Sequence, residues 1–409
     1  MKFLLYSLNH YPELTGIGKY NGEMVSTLVE MSTDVSVLCA PPYYPEWKIK
    51  REYASFGYVT ETSDDAVVYR CPLYVPSNVT TLKRLLHLFS FSVSSGLRLF
   101  SLFKLKPDLV FLVQPTFFCA PATLLYCKLT GAKSVMHIQD YELDAMLGLG
   151  MGGGKIANFL KKVESWIMSK FDLVSTISYS MIDNARTKGV PDSKLLLFPN
   201  WADVSFVTPD TAYESFKERL GLEPADKVIL YAGNMGKKQG LEIVLDAAES
   251  FKERPDLKFL MVGAGAHAEV LKGLAKQKQL TNMLFLPLQA WDDVPAMLAM
   301  ADIHLVIQKK GAADAVLPSK LTNILAAGGQ SIITAELCTE LGQLAEKFPG
   351  IYDLIEPESA PALVEAINKQ LANEETGHNL VARSYAEENL DRNKIIDRFL
   401  HDVQAKLSF

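Results

Sequence analysis

Short apolar runs, each stopped by Gly, Pro, Asn or Asp and followed by a longer segment of helical periodicity, recur in two series along the chain. A strand reached again only through a helix runs parallel to its predecessor, so this alternation predicts open, doubly wound α/β sheets. The expected strands of the first series are Phe3–Leu8, Val35–Leu38, Leu109–Val113, Ser134–Ile138, Leu173–Ile177 and Leu195–Phe198. The second series comprises Val228–Ala232, Phe259–Val262, Leu284–Leu286, Ile303–Ile307 and Ser331–Thr334. It starts afresh after Asn200 to Asp226, where Pro199-Asn200-Trp201 closes a strand and a charged helical segment follows. Residues 1–205 and 206–385 are therefore expected to be separate α/β domains. Residues 386–409 read as a helix after Ser384, with Leu390, Ile395, Ile396, Phe399 and Leu400 as its apolar stripe. Two such domains put a cleft between them, and strand ends with helix N-termini suit a ligand carrying a diphosphate.

Composition narrows the function classes. Hydrophobic residues make up 48% and charged residues 22% of the 409, which is globular rather than disordered. The cysteines at 39, 71, 119, 127 and 338 form no C-x-x-C pair, which fits reduced, buried thiols of a cytosolic protein. The apolar run at Phe3–Leu5 has ended by Asn9-His10, too short for a signal peptide, and no stretch reaches the ~18 apolar residues of a spanning helix. A net charge of −6 and the lack of a nucleic-acid motif disfavour a nucleic-acid partner. The charge is uneven: residues 66–107 contain no acid but hold Arg70, Lys83, Arg84, Arg98, Lys104 and Lys106. Within this segment Leu82 to Phe89 mixes cations with Leu and Phe, as helices lying on a membrane surface do; the alternative is a buried helix pair with solvated lysines.

Five stretches carry the chemistry. The first strand runs into Tyr11 to Tyr20, where Gly16 and Gly18 let the backbone approach a ligand before a helix. The fourth ends in His137-Ile138-Gln139-Asp140, polar groups at the mouth of an apolar strand. The second series opens with Gly233-Asn234-Met235-Gly236-Lys237-Lys238, whose lysines suit a diphosphate that gains charge as its bond to a sugar breaks. Gly263-x-Gly265-x-x-Ala268 mimics a dinucleotide fingerprint, but the next strand ends in no acid, and Leu286 to Trp291 stands as a base-binding candidate instead. Finally Asp314 to Gly329 opens a helix, with Ser319 as its expected N-cap and Lys320 adding a full positive charge in the first turn.

Together the stretches at 9–24, 40–48, 137–145, 231–242 and 314–329 resemble retaining glycosyltransferases of family four, in the same order and over most of the chain. The resemblance implies the GT-B fold, two Rossmann-like doubly wound domains facing a central cleft, with the C-terminal helix crossing back to the first. It implies that Gly16 and Gly18 contact a donor diphosphate, that Lys237 and Lys238 bind it, and that Ser319, Lys320 and Leu321 cap its phosphates. Gly265 and the stretch near Leu288 would line the nucleotide pocket. His137 would orient the donor sugar, with Gln139 and Asp140 beside sugar and acceptor. The family needs no metal or other cofactor.

The expected reaction is transfer of a sugar, fucose from GDP-fucose foremost and a UDP-sugar next, to a polyprenyl-diphosphate-linked saccharide in colanic-acid-type exopolysaccharide synthesis. The donor's own phosphate oxygen would take the acceptor proton. The place of action would be the inner face of the cytoplasmic membrane, with Lys83, Arg84, Arg98 and Lys104 against anionic lipid. The chain departs from the family at two places. Asn234 stands where the family has Arg, and the paired glutamates fall at Ala315 and Asn323. Asp314 lies one residue from the lost carboxylate, and Asn323 retains a hydrogen bond for a ribose. These losses keep two alternatives open, a nucleotide-sugar 2-epimerase on the same fold and a non-catalytic nucleotide-sugar-binding partner of a polysaccharide assembly.

Overall fold

Strand β1 (Lys2–Tyr6) is apolar and covered on both faces from its second residue onward, as strands inside a doubly wound sheet are. The computed structural model describes residues 1–13, 16–53, 57–78, 80–141, 143, 154–310, 318–373 and 377–407. The chain forms two units, Met1–Pro199 with Ile396–Phe409, and Asn200–Ile395.

In the first unit β1 is followed by α1 (Gly16–Glu30), β2 (Asp34–Cys39), β3 (Val59–Ser63), β4 (Ala66–Arg70) and α2 (Thr81–Ser101). Then come β5 (Leu109–Val113), α3 (Ala120–Thr130), β6 (Lys133–Ile138), α4 (Gly154–Lys170), β7 (Leu173–Thr176), α5 (Tyr179–Thr187) and β8 (Leu195–Leu197). The sheet order is β3-β4-β2-β1-β5-β6-β7-β8, parallel except for the β3–β4 hairpin. Every residue of β5 is buried, which is why its sequence is apolar without alternation.

The second unit carries α6 (Glu214–Arg219), β9 (Lys227–Ala232), α7 (Glu242–Ser250), β10 (Leu257–Val262), α8 (Ala268–Gln277), β11 (Met283–Leu286), α9 (Val294–Ala299) and β12 (Ile303–Val306). It continues with α10 (Ser319–Ala326), β13 (Ser331–Thr334), α11 (Glu340–Lys347), β14 (Asp353–Ile355), α12 (Ala360–Ala372) and α13 (Leu380–Asn389). Its six strands, in the order β11-β10-β9-β12-β13-β14, are all parallel. Alternate residues of β9 serve two cores, Val228 and Leu230 on one face, Ile229 and Tyr231 on the other.

The expected strands are present within a residue or two. The β3–β4 hairpin and β14 were not expected, because β3 reads Val-Thr-Glu-Thr-Ser and β14 reads Asp-Leu-Ile, too polar or too short to register. The single helix expected from Ala386 is two: α13 ends at Asn389 and α14 spans Arg392–Leu407, with Asp391 bridged to Ala202 between them. From Ile396 this last helix belongs to the first unit, where Phe399 stacks on Phe198 at 4.1 Å and meets Phe111 edge-on at 5.4 Å. Four cysteines are buried as expected, but Cys338 is exposed.

Phe399 thus closes one face of the first sheet. Phe399→Ala is expected to cost about 3–5 kcal/mol in chemical denaturation of the full chain, and Phe399→Leu much less. A loss under ~1 kcal/mol for the alanine variant would mean that the helix is not part of that core.

Candidate functional site

In the second sheet the strand order turns back between β9 and β12. Open α/β sheets hold ligands beyond the strand ends at such a point. The loop after β9 rests directly on the loop after β10: Gly233 N–H donates to Val262 O, Met235 N–H to Ala264 O, and His267 N–H to Met235 O. Gly263 has φ +135°, and a side chain there would overlap the Gly233 carbonyl, while one on Gly265 would overlap that of Met235. The glycines that mimic a dinucleotide fingerprint therefore allow one backbone to lie on another.

Lys320 enters this place from the first turn of α10. Its Nζ is buried 3.9 Å from the centroid of the Tyr231 ring and so close to Gly233 that a Cβ there would stand 3.1 Å away. No hydrogen-bond partner reaches it among the described residues. Burial drops its pKa to about 7, because taking the ammonium out of water disfavours its charged form. Asn323, one turn further along the same helix face, has a buried Oδ1 that also lacks a partner among the described residues. Two adjacent polar groups are thus desolvated without a partner among the described residues, a cost that a ligand with anionic and hydroxyl groups would remove.

Two expectations change here. Ser319 is not the N-cap: Pro318 occupies that position, and no side chain caps the helix. Leu321 points into the core, and its N–H donates to Pro318 O, so it offers a phosphate neither group. Asp314 lies outside the described residues. Asn234, Lys237 and Lys238 are exposed in the loop after β9, with Tyr231 Oη donating to Asn234 O at 2.7 Å. Leu288 is 64% exposed, and Trp291 beyond it stacks on Phe206 at 5.6 Å. Sequence reading missed the pair of His267 Nε2 with Glu242 Oε1 at 2.7 Å, which ties the start of α8 to α7. It also missed Tyr231, whose role appears only where β9 meets α10.

The corresponding place in the first sheet lies between β1 and β5. Gly16 takes φ +58° in open space, whereas Gly18 packs so tightly that a Cβ would lie 2.6 Å from that of Glu13. Glu13, unnoticed in the sequence, is buried and accepts from Tyr43 N and Tyr44 N at 2.8 and 2.9 Å and from Asn9 Nδ2 at 2.8 Å. Burial holds its pKa above the usual carboxylate value, with these hydrogen bonds opposing the shift. Arg70, 2% exposed, donates to the Tyr11 and Ala40 carbonyls and pairs with Glu61 at 2.6 Å, clamping the turn from beneath.

His137, expected beside the donor sugar, packs within the core at the end of β6. It is 2% exposed and stacks on Phe111 at 5.2 Å, with Nδ1 on Ser175 Oγ at 2.9 Å and Nε2 on Gln139 Nε2 at 3.0 Å. Burial lowers its pKa to about 3, so the ring stays neutral. Its accessible effect is to hold Gln139, which with Asp140 follows the end of β6. Arg98 also turns inward: its guanidinium donates to Thr60 Oγ1 at 2.7 Å and lies over the Tyr69 ring. Lys83 is half-buried and Arg84 and Lys104 are exposed. Among the described residues no group of three or more His, Cys, Asp or Glu is placed to hold a metal ion.

Residues 15–201 match the family described as Glycosyl transferase 4-like domain, and residues 213–387 match Glycosyl transferases group 1. The chain is 50% identical over 411 residues to WcaI of Escherichia coli K12, a protein named as a colanic acid biosynthesis glycosyl transferase, covering 99% of this chain and 100% of that one. The solved sucrose-phosphate synthase of Thermosynechococcus elongatus is 15% identical with a TM-score of 0.76, over 100% of this chain and 99% of that one. Anabaena HepE, solved in complex with UDP, is 14% identical with a TM-score of 0.69, over 99% and 100%. At these identities the structural likeness establishes the fold, which is GT-B.

The buried ammonium sets a test that needs no ligand. Lys320 has a lower pKa folded than the ordinary 10.5 it regains unfolded, so the unfolded state binds more protons between about pH 7 and 10.5 and stability rises with pH there. Lys320→Met is expected to be more stable than the parent by about 1–3 kcal/mol at pH 6.5, with the gain shrinking toward pH 10. Denaturation across that range measures it, and a variant less stable at every pH would show that Lys320 is compensated in the fold.

Proposed function

The chain belongs to the GT-B glycosyltransferase family that includes WcaI, and from that premise we propose that its second unit binds a nucleotide-diphosphate sugar and that the enzyme transfers the sugar, with retention, to a lipid-linked saccharide. The single observation that carries the reading is the buried Lys320 ammonium over Tyr231, without a counter-anion among the described residues, at the turning point of the second sheet. A donor diphosphate is the anion it lacks. Lys237 and Lys238 lie on the exposed loop that leaves β9, where they add charge for the same diphosphate. Asn323 Oδ1, an acceptor, suits a ribose hydroxyl. The loop from Leu286 to Trp291 suits the base, with Leu288 as an exposed apolar contact.

The protein's own groups supply what the reaction needs, and no metal or other cofactor enters this reading. As the bond from the anomeric carbon to the phosphate oxygen stretches, negative charge gathers on the leaving diphosphate, where pre-aimed cations stabilise it most. The acceptor hydroxyl attacks from the side of the departing phosphate, and its proton passes to a phosphate oxygen, so no side-chain base is required. Gln139, held by His137, and Asp140 belong to the sugar and acceptor side. Gly16 keeps a backbone surface open for an anionic oxygen, and Gly18 lets α1 pack on Glu13 behind it. The favoured donor is GDP-fucose, with a UDP-sugar next, and the favoured setting is colanic-acid-type exopolysaccharide synthesis, after the relative's name.

Helix α2 supports peripheral association with the inner face of the cytoplasmic membrane. Its Leu82, Leu86, Phe89, Val93 and Leu97 are all exposed, a continuous apolar line on a helix whose opposite face is already buried. Lys83, Arg84 and Lys104 are the cations beside it, and no described helix is long and apolar enough to cross a membrane.

Thermal unfolding with GDP, UDP, ADP, GDP-fucose and UDP-glucose tests the donor, since a ligand at a hundredfold its Kd stabilises by about 2.7 kcal/mol. Stabilisation by GDP and GDP-fucose alone is expected; a response to UDP compounds would move the substrate, and none at all would sink the reading. Lys320→Ala and Lys238→Ala are each expected to lower turnover by ~10² to 10³, more than they raise the apparent donor KM. Nucleotide release that does not depend on acceptor would favour the epimerase instead. On phosphatidylglycerol vesicles at low salt, binding is expected for the parent and its loss for the double variant Lys83→Glu, Lys104→Glu; equal binding by both would refute the membrane role.

A further inference from the structure

A cavity of about 430 Å³ lies in the first unit, between α2, α3, α4 and the end of β6. Its wall is almost entirely hydrocarbon, with Leu85 from α2, Phe118 just before α3, Pro121 from α3, and Val163, Ile167 and Met168 from α4. The one charged residue of α4 that lines it, Glu164, is neutralised by Lys188 at 2.5 Å. The volume lies in the range of small-molecule pockets, and an apolar space of this kind gains little from water.

Two observations say what fits it. The first is continuity with the exposed face of α2. Phe118, which lines the cavity and is 41% exposed, meets Phe89 of the α2 stripe edge-on at 6.3 Å. Leu160 of α4, which also lines the cavity, is exposed too. The cavity therefore continues the apolar stripe of α2 inward, which complements the hydrocarbon chain of a lipid. The second is the polar end. Gln114, directly after β5 at the turning point of the first sheet, lines the cavity, is buried, and has an Nε2 without a partner among the described residues. Asp140, following β6, lines the cavity beside it. An unsatisfied donor at one end and hydrocarbon along the rest describe a ligand with an oxygen-bearing head and an aliphatic tail.

We propose that this cavity takes the first isoprene units of the lipid that carries the acceptor saccharide, seating the head of that lipid at Gln114 and the ends of β5 and β6. The inference rests on the reading that the acceptor is lipid-linked. It separates two functions of one face: α2 adsorbs to the bilayer, and the cavity draws a single chain out of it.

The test uses the full-length protein and farnesol, an uncharged isoprenoid that cannot occupy a diphosphate site, in calorimetric titration with GDP present in excess. Saturable binding is expected, weakened at least tenfold in Leu160→Trp and in Val163→Trp, two rim or partly exposed positions where a larger ring narrows the cavity. Both variants are expected to keep the parent's melting temperature within a few degrees and its adsorption to phosphatidylglycerol vesicles. The double variant Val93→Ser, Leu97→Ser is expected to do the reverse, losing vesicle adsorption and keeping farnesol. Absence of saturable farnesol binding, or equal affinity in parent and narrowed variants, overturns the proposal. So does a dimer in sedimentation that Leu160→Trp dissolves, because a second copy would then cover the rim. If farnesol fails while GDP still stabilises the protein, the cavity assignment falls alone; if GDP fails as well, the donor reading falls with it.

Discussion

The contact between two glycine loops organises the second unit. Gly263 lies so close to the Gly233 carbonyl that no side chain fits, and this approach brings the loop after β9 down onto the loop after β10. Tyr231 is thereby held with its hydroxyl on Asn234 O and its ring face toward α10. The room left above Gly233 is filled by the Lys320 stem, and only a glycine at 233, with φ +148°, leaves that room. Backbone packing, rather than a network of charges, is what places the cation.

That placement is costly to the free protein. A lysine ammonium held against an aromatic face with no anion among the described residues loses hydration, and its lowered pKa records the loss. Asn323 adds a second unsatisfied atom on the same helix face. Groups left unsatisfied at a strand-order turning point are characteristic of a site that is completed by ligand. The first unit follows the other strategy. Near Gly18 the buried charges have partners among the described residues, Glu13 through backbone N–H groups and Arg70 through carbonyls and Glu61.

The outer face of the first unit is unusual for a different reason. Helix α2 buries His87, Leu88, Phe91 and Leu99 on one side and still presents leucines, a phenylalanine and a valine on the other. A helix packed on one side gains nothing from that second apolar line unless something nonaqueous meets it. The cavity beneath Phe118 and Leu160 extends the same apolar surface inward, and the cations along it have separate fates, since Arg98 is bound by Thr60 and Tyr69 while Lys104 stays exposed.

Local chemistry made the two α/β series legible: fully buried parallel strands must be apolar throughout, and the chain can return to parallel only through a helix. For the same reason Gly16, Gly18, Gly233 and Lys320 are legible, each at a strand end or in the first turn of a helix, and Lys238 in the loop between β9 and α7. The hairpin of β3 and β4 was hidden because its turn uses Asp64-Asp65 in place of a glycine, both with positive φ. Facing could not be read either. A strand covered on both sides shows no alternation, so nothing in the sequence told that His137 looks into the Phe111 and Phe198 cluster while Gln139 lies past the end of the strand. Nor did the basic run reveal that Arg98 has a partner within the fold. The sequence determined which residues could lie at the strand ends, because that depends on neighbours a few positions away. Only the tertiary structure decided which charges have partners and which do not, because burial and pairing depend on residues brought together from distant parts of the chain.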